Sequence, residues 1–581
     1  MQHAEIEALR THLGRLYDRE LAVPALDRLV EILEDFARSH PAIAERDPAP
    51  FDERDVWVIA YGDHLTEPGR PPLRSLDGFL REHFGDVVGG LHLLPHYPWT
   101  SDDGFAVVDH REVDPRLGDW SDVERLGDGF RLMLDAVVNH TSASAPWFQG
   151  WLRDDPEFAD FYLSPPVDAD LSRVVRPRTT PLLTPFPAPE GVRQVWTTFG
   201  PDQVDLNYAN PEVLLRVTEI LLEYVGRGAR ALRLDAIAFL WKRAGTSCIH
   251  LPETHEVIRL WRTVLDAVAP GTLIVTETNV PHAENVAYFG DGTDEAHLVY
   301  QFPLPPLVLH AFRGGDSSVL AGWLRDLEAP SAATTFLNFL GSHDGIGLRP
   351  VEQLLPTREV AALGEAISSE GGGVSYRSIP GHPQFPYELN VSYFDALNPP
   401  DPSTSRSEQI DRFVAAQSLL LALAGVPAIY LHALLGSRNW HEGVALTGHP
   451  RAINREKLVL AEVEAALEDP GTLRSEVAER IRGRAAARIA EPAFHPCAAQ
   501  RVLDTPPGLL AIERTATDGS STVVCVHNLT AEPERFRLPA DGAAEVPRSY
   551  TEIVDGRRIS PEASDRAEVT VAPYEVLWLR A

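Results

Sequence analysis

Eight short apolar runs, each ending in polar or charged residues, constrain the fold of this chain more than any other feature. They lie at residues 56–61, 90–95, 131–140, 230–239, 272–279, 298–302, 334–344 and 426–431. Runs of this length that are apolar throughout are typical of strands buried on both faces of a parallel sheet. Helical patterns separate many of them, for example over residues 212–224 and 253–268. Eight such strand–helix units predict an α/β fold, a (β/α)8 TIM barrel.

The remaining segments predict additions to this barrel. Residues 1–50 carry amphipathic helical patterns and predict an N-terminal helical extension. Residues 141–210, rich in proline, aspartate and tryptophan, predict an inserted domain after strand 3, and residues 345–400 predict a long loop region after strand 7. Alternating apolar residues within 495–581 predict a C-terminal β-sandwich. The barrel itself is assigned to residues 51–140 and 211–494.

The net charge of −32 argues against nucleic acid and anionic membranes as partners, because a field this negative repels both. A membrane-spanning helix needs about 20 consecutive apolar residues, and every apolar run in this sequence is much shorter. The first residues lack the pattern of a secretory signal. The three cysteines, Cys248, Cys497 and Cys525, lie far apart, which argues against a disulfide scaffold or a zinc site. We expect a cytoplasmic monomer or homodimer whose partners are small molecules.

Charged and polar residues cluster at the ends of the predicted strands. They are Asp63, His92, Asn139-His140, Arg233 with Asp235, Glu277 and His343-Asp344. A charged side chain inside a barrel costs free energy unless it is paired or used. Barrel enzymes hold their active sites at the C-terminal ends of the strands. The common position of these residues therefore predicts an active site.

Two of the carboxylates favour glycosyl transfer. Arg233 lies two residues before Asp235, on the same strand face, and would hold that carboxylate ionised as a nucleophile requires. Glu277 ends an apolar strand, where burial raises a carboxyl pKa and suits a general acid. A nucleophile about 5 Å from an acid forms a covalent intermediate and retains configuration. His343 and Asp344 are candidates for binding sugar hydroxyls and for stabilising oxocarbenium charge.

Four sequence blocks resemble, in order, the signature regions of the α-amylase superfamily. They are DAVVNH (135–140), RALRLDA (230–236), VTETN (275–279) and FLGSHDGIG (339–347). The resemblance implies that Asp235 is the nucleophile, Glu277 the general acid/base and Asp344 the transition-state stabiliser. It also implies a set of residues that bind the glucosyl unit, namely Asp63, His92, Arg233 and His343.

Further blocks resemble the sucrose phosphorylase subgroup, whose members use phosphate in place of water and release α-glucose 1-phosphate. Examples are GLHLLPHYPW (90–99), QVDLN (203–207) and PRAINR (450–455). The helical extension, RPRTTPLLTPF (176–186) and ETNVPHAENVAYFG (277–290) are most similar to glucosylglycerate phosphorylases. Sucrose phosphorylases typically have a histidine where this chain has Asn279, and an acidic residue where it has Phe385. Both departures fall near the acceptor subsite and disfavour sucrose.

Phosphate and glycerate are both anions, so a site for them in this acidic protein needs local positive charge. Arg176, Arg178 and Arg451 lie in loops at the expected rim, and the arginine fork matches phosphate or carboxylate. Among them, Arg178 and Arg451 match phosphate-handling positions of the family. Four further residues are candidates at the same rim, Tyr387 and Asn279 for phosphate or acceptor, and Gln203 and Phe199 for the glucosyl unit.

Three alternatives stay open at this point. The first is a sucrose or glucosylglycerol phosphorylase, which shares the donor chemistry. The second is an α-glucosidase or transglucosidase, which would release glucose without phosphate. The third is a non-catalytic binding subunit, which the three retained carboxylates disfavour. The subgroup implies no cofactor and no metal, although Asn139 stands where some amylases place a calcium ligand; inorganic phosphate enters as a substrate.

Overall fold

Eight parallel strands form a closed barrel in the computed structural model, which describes residues 2–47, 51–178, 180–328, 331–379, 382–538, 549–560 and 568–580. Each strand pairs with the next along the chain, and the eighth pairs with the first. The strands are β1 (Trp57–Ala60), β2 (Gly90–Leu93), β3 (Arg131–Ala136), β4 (Ala231–Leu234), β5 (Leu273–Thr276), β6 (Leu298–Tyr300), β7 (Thr335–Asn338) and β8 (Val426–Tyr430). The predicted barrel is confirmed, and each strand falls within one of the eight apolar runs.

Helices connect successive barrel strands, and four further helices follow β8. Their bounds are Pro72–Phe84, Trp120–Gly129, Pro211–Gly226, Pro252–Val268, His282–Val286, Leu304–Gly314, Ser318–Arg325, Arg406–Ala422, Leu431–Leu434, His441–Thr447, Leu460–Glu468 and Leu473–Ile489. Local sequence sets several of the starts. Asn210 accepts a hydrogen bond from the Glu212 amide and Pro211 occupies the first turn, so the helix before β4 begins there.

The N-terminal extension contains helices His3–Leu16 and Arg19–Ser39. Leu9, Leu13 and Leu16 on the first helix are buried, as its apolar spacing predicts. The first helix packs on helix Pro252–Val268, and the second packs on helix Pro211–Gly226. The extension therefore covers the helices that precede β4 and β5. Its predicted end at residue 50 lies outside the described residues.

The inserted segment after β3 is small. It holds helix Pro146–Leu152, a hairpin of strands Leu183–Ala188 and Gly191–Trp196, and a pair of strands, His140–Ser142 and Gln203–Asp205. That strand pair leads directly out of the barrel, which places Gln203 beside the end of β3. Where each domain begins and ends as an independent unit stays a prediction.

The long excursion after β7 is more regular than the predicted loop region. It contains helices Thr357–Ser369 and Tyr393–Leu397 and an antiparallel sheet of strands Ile346–Gly347, Gly373–Ile379 and His382–Asn390. Alternation over 373–390 is interrupted by register shifts, and this hides the hairpin in the sequence. The hairpin carries Tyr387 and Glu388 towards the barrel mouth.

The C-terminal part is the predicted β-sandwich. One sheet contains strands Ala499–Val502, Leu509–Thr515, Thr522–Asn528, Val576–Arg580, Tyr550–Glu552 and Arg558–Ile559, and the other contains Glu534–Arg537 and Glu568–Val571. Phe536 and Val569 of the second sheet share a core with Leu509 and Val526 of the first. Two further short strands, Leu65–Thr66 and Leu458–Val459, pair beside the barrel. Among the described helices, none is both long enough and apolar enough to span a membrane.

Candidate active site

A cavity of about 650 Å³ opens at the C-terminal ends of the barrel strands. This volume lies in the range of small-molecule sites. Twelve of the fourteen predicted site residues line it: Asp235, Glu277, Asp344, Arg233, His343, Phe199, Gln203, Arg176, Arg178, Arg451, Tyr387 and Asn279. Asp63 and His92 do not.

Register explains why Asp235 and Glu277 lie side by side. Leu234 of β4 pairs with Thr276 of β5, so the next residue on each strand emerges at the same height. Ala236 then takes a left-handed conformation (φ 50°, ψ 28°), and its amide donates to Glu277 Oε2 at 3.1 Å. A non-glycine residue in this region costs free energy, which is typical of a functional site.

Arg233 distinguishes the two carboxylates. Its guanidinium donates to Asp235 Oδ1 at 2.9 Å and also to Asp135. Burial raises the pKa of both Asp235 and Glu277 to about 7, against the opposing effect of Arg233. Because Arg233 contacts Asp235 directly and no such bond reaches Glu277 in the described structure, we expect the proton shared by the pair to reside on Glu277.

Asp344 is held ionised by a cation. Burial alone would raise its pKa, but Arg451 and then His343 hold the pKa far below the usual range. Arg451 donates to Asp344 and, through two nitrogens at 3.1 and 2.6 Å, to Glu388. In this arrangement Arg451 is engaged by two carboxylates. Its predicted contact with phosphate would require it to leave Glu388.

The roles of Asp63 and His92 as glucosyl ligands stay predictions, because neither residue lines the cavity. Asp63 lies outside the cavity, about one-third exposed, and pairs with Lys457. His92 is fully buried beneath the cavity floor, where its Nε2 lies 2.7 Å from Asp135 Oδ2. Residue type at a strand end does not reveal the depth of a side chain.

Asp102 and Arg349 are two of the cavity residues that the sequence-based site prediction missed. Asp102 follows β2 in a turn where it and Asp103 have φ of 54° and 47°. Burial would raise the pKa of Asp102, but Arg451, Arg455 and Arg178 lower it overall, so it is an anion. The Asp-Asp-Gly turn after a barrel strand was the available signal.

One side of the cavity presents groups suited to a sugar. Gln203 Nε2 donates to Asp102 Oδ2 at 3.2 Å and lies 3.3 Å from His140 Nε2. His343 stacks on Phe105 with ring centroids 5.1 Å apart. Phe199, beside His140, also lines the cavity. Hydrogen-bonding groups alternating with rings match the edges and faces of a hexose.

Four arginines besides Arg233 and Arg451 also line the cavity, Arg176, Arg178, Arg349 and Arg377. Arg178 Nη1 donates to the Tyr387 hydroxyl at 3.1 Å, and Arg377 pairs with Glu352. Arg176 bonds the Thr180 carbonyl. Asn279 is exposed to the cavity and packs against Gly347, where a Cβ would come within 2.9 Å of its Nδ2.

Lys242 occupies a position of interest for metal binding. Its ammonium, almost fully buried, lies 2.7 Å from Asn139 Oδ1 and 2.8 Å from Asp205 Oδ2. These two oxygens and the Leu240 carbonyl at 3.5 Å are the kind of donors calcium prefers. The ammonium therefore supplies the positive charge that these oxygens need.

Comparisons with known proteins agree with this geometry. The family "Alpha amylase, catalytic domain" matches residues 87–344. A glucosylglycerate phosphorylase of Allomeiothermus silvanus is 49% identical over 91% of this chain and 93% of its own length. Another, of Spirochaeta thermophila, is 43% identical over 99% of this chain and 98% of its own. The chain belongs to the glucosylglycerate phosphorylase family within the α-amylase superfamily.

A solved structure extends the comparison of this glucosylglycerate phosphorylase family member. Sucrose 6F-phosphate phosphorylase of Thermoanaerobacter thermosaccharolyticum superposes with a TM-score of 0.71 and 25% identity, over 82% of this chain and 94% of that one. The resemblance to the superfamily stated from the four sequence blocks is confirmed. The individual residue roles stay predictions.

Proposed function

We propose that this chain is a retaining glycoside phosphorylase that converts 2-O-α-glucosylglycerate and phosphate to α-glucose 1-phosphate and glycerate. The relatives of 49% and 43% identity, which carry the name glucosylglycerate phosphorylase and match almost over their whole length, support this activity. The sugar phosphorylase with a solved structure is more distant, at 25% identity.

The arginines of the cavity favour an anionic acceptor. Arg176, Arg178 and Arg349 line the cavity, and none has a carboxylate within ion-pair distance among the described residues. The chain contains 84 acidic residues against 52 basic ones, so unpaired arginines gathered in one cavity need a negatively charged ligand. Phosphate and glycerate each supply one.

The first half-reaction transfers the glucosyl unit to the enzyme. Glu277 gives its proton to the glycosidic oxygen, the bond from that oxygen to the anomeric carbon breaks, and Asp235 forms a new bond to the same carbon. Asp344, kept anionic by Arg451, stabilises the oxocarbenium charge of the transition state. Glycerate then leaves, carrying the proton of Glu277 on its hydroxyl group.

The second half-reaction uses phosphate. A phosphate oxygen attacks the anomeric carbon on the face that glycerate left, and the bond to Asp235 breaks. Glu277 takes the phosphate proton and is ready for another cycle. Two inversions give net retention.

Arg233 has a positioning role in this mechanism. Asp135 lies opposite Arg233 in the β3–β4 register and accepts from its guanidinium, while His92 bonds the other oxygen of Asp135. This buried chain fixes the guanidinium beside Asp235. His92 therefore acts at the site through Asp135 and Arg233.

The enzyme of this proposal needs no metal and no cofactor. The ammonium of Lys242 satisfies Asn139 and Asp205, the donors best suited to a cation near the barrel mouth. We also infer a cytoplasmic location, which the three free cysteines support. Glycerate, phosphate and the glucosyl donor are its expected small-molecule partners.

The test is the release of glucose 1-phosphate from glucosylglycerate, sucrose and glucosylglycerol, each with and without phosphate. Asp235→Ala serves as the inactive control. We expect phosphate-dependent release from glucosylglycerate and little from the two neutral donors. Release from a neutral donor instead would overturn the acceptor assignment, and free glucose made without phosphate would mean that the chain is a hydrolase.

A further inference from the structure

A second cavity of about 500 Å³ lies at the opposite end of the barrel from the catalytic carboxylates. Its walls come from the turn before β3, the turn before β4 and the end of the N-terminal extension. Four arginines line it, Arg46, Arg131, Arg227 and Arg230, together with four glycines, Gly127, Gly129, Gly226 and Gly228.

Two of these arginines are already neutralised. Arg227 pairs with Glu124 at 2.8 Å, and Arg131 pairs with Asp55 at 2.8 Å. Such pairs explain the charge of these two side chains without a ligand. The remaining acidic residue of the lining is Asp128, which is exposed.

Arg46 and Arg230 differ from them. Neither has a carboxylate within ion-pair distance in the part of the chain that the structure describes, and Arg230 Nε is shielded from solvent with no hydrogen-bond partner there. Burial lowers the pKa of both guanidinium groups. Repulsion from Arg230 adds to the lowering at Arg46, whose pKa is about 10, and repulsion from Arg131 adds to it at Arg230, where Asp47 and Asp55 act in the opposite direction. Two unpaired cations that repel each other across a cavity are stabilised by an anion between them.

Favourable interaction with helix C-termini accounts for only part of the positive charge at this cavity. Helices Trp120–Gly129 and Pro211–Gly226 end at the cavity, and cations stabilise such C-termini. Arg46 donates to the Ala229 carbonyl at 3.4 Å, which lies beyond the end of the second helix. The side chain of Arg230 makes no such bond within the described residues.

We propose that this cavity binds a small phosphomonoester, with its phosphate group held between Arg46 and Arg230. The arginine fork matches phosphate oxygens, and Gly228 leaves open space, since a Cβ there would meet no atom within 4 Å. A volume of about 500 Å³ suits a small organic phosphate better than a single phosphate ion. The bound ligand would join the N-terminal extension, through Arg46, to the start of β4, roughly 16 Å along that strand from Asp235.

Equilibrium dialysis with radioactive phosphate tests the site. We expect Arg46→Gln/Arg230→Gln to bind one phosphate fewer per chain than the wild type. Arg19→Gln/Arg153→Gln, which removes the same charge from exposed positions, is the matched control and should bind as many as the wild type. Equal numbers in all three proteins would overturn the proposal.

Two further measurements test the class of the ligand and ask whether the two arginines have a structural role only. Glycerol 2-phosphate should displace the phosphate that depends on Arg46 and Arg230; failure to displace it would refute the phosphomonoester class. The ligand-free Tm of the double variant should equal or exceed that of the wild type, because a repulsion is removed. A lower Tm with unchanged phosphate binding would show that the two arginines are structural only.

Discussion

Replacing Arg349 tests whether the cavity recognises the carboxylate of glycerate. Arg349 is half-buried at the cavity wall, in the segment that follows β7, and burial followed by repulsion from Arg377 lowers its pKa. Glu284 and Glu352 act against this lowering, but among the described residues no carboxylate lies within ion-pair distance of its guanidinium. A carboxylate of the ligand would provide its missing counter-ion, and Arg349→Gln removes that interaction without adding charge.

The expected loss follows from one charge-assisted interaction. A hydrogen bond to a charged group contributes about 1.5–3 kcal/mol, and 1.4 kcal/mol corresponds to a factor of ten. Arg349 is partly exposed to solvent, which screens the interaction and favours the lower end of this range. We therefore expect the KM for glucosylglycerate to rise about 10- to 30-fold.

The assay compares three substrates. The KM for glucosylglycerate and, in the synthetic direction, for glycerate should rise together, whereas the KM for phosphate should stay within about twofold. Arg349→Lys should fall between the two proteins, because it keeps the charge and loses the fork. Arg358→Gln, at a position whose side chain is 85% exposed, is the control and should have no effect. A rise confined to the KM for phosphate would refute the argument and assign Arg349 to phosphate.

Two further predictions concern protons and metals. The pKa of Glu277 is about 7, so kcat/KM for glucosylglycerate should fall as the pH rises through 7 and Glu277 loses its proton. A donor with a fluoride leaving group needs no acid, so its kcat/KM should not fall in this range. The same fall with both donors would contradict the role of Glu277 as acid. Chelation with EDTA should leave activity and Tm unchanged, whereas Lys242→Ala should lower stability by about 3 kcal/mol, because Asp205 is left buried without its cation. Loss of activity in EDTA that calcium restores would show that a metal site was overlooked.

The barrel was predictable because its signal is repeated. A single run such as residues 298–302 is ambiguous between a strand and a buried helix segment. Eight of them in series, separated by helical patterns, leave few folds that bury every run. The hairpin of strands Gly373–Ile379 and His382–Asn390 lacked this support, since its register shifts break the alternation.

The site was predictable where a residue follows a strand in register. Asp235 and Glu277 each come one residue after β4 and β5, and the barrel brings them together. Asp102 was missed because it lies nine residues beyond β2, where only the path of the turn brings it back to the cavity. His92 lies within β2 itself, and its buried side chain bonds Asp135, so its role as a glucosyl ligand stays a prediction.

The cavities at the two ends of the barrel share one feature, half-buried arginines without a carboxylate partner. In a chain of net charge −32, an arginine has many carboxylates available. Most arginines on the surface form an ion pair with one, such as Arg116 with Asp114 and Arg501 with Glu513. A half-buried arginine that stays unpaired is both shielded from water and held away from those carboxylates by the fold, which costs free energy. Arg178 and Arg349 meet this condition at the mouth of the barrel, and Arg46 and Arg230 meet it at the base. The cost is offset if an anion binds at each place, and this is why the unpaired cations, rather than the total charge, indicate where the ligands of this protein bind.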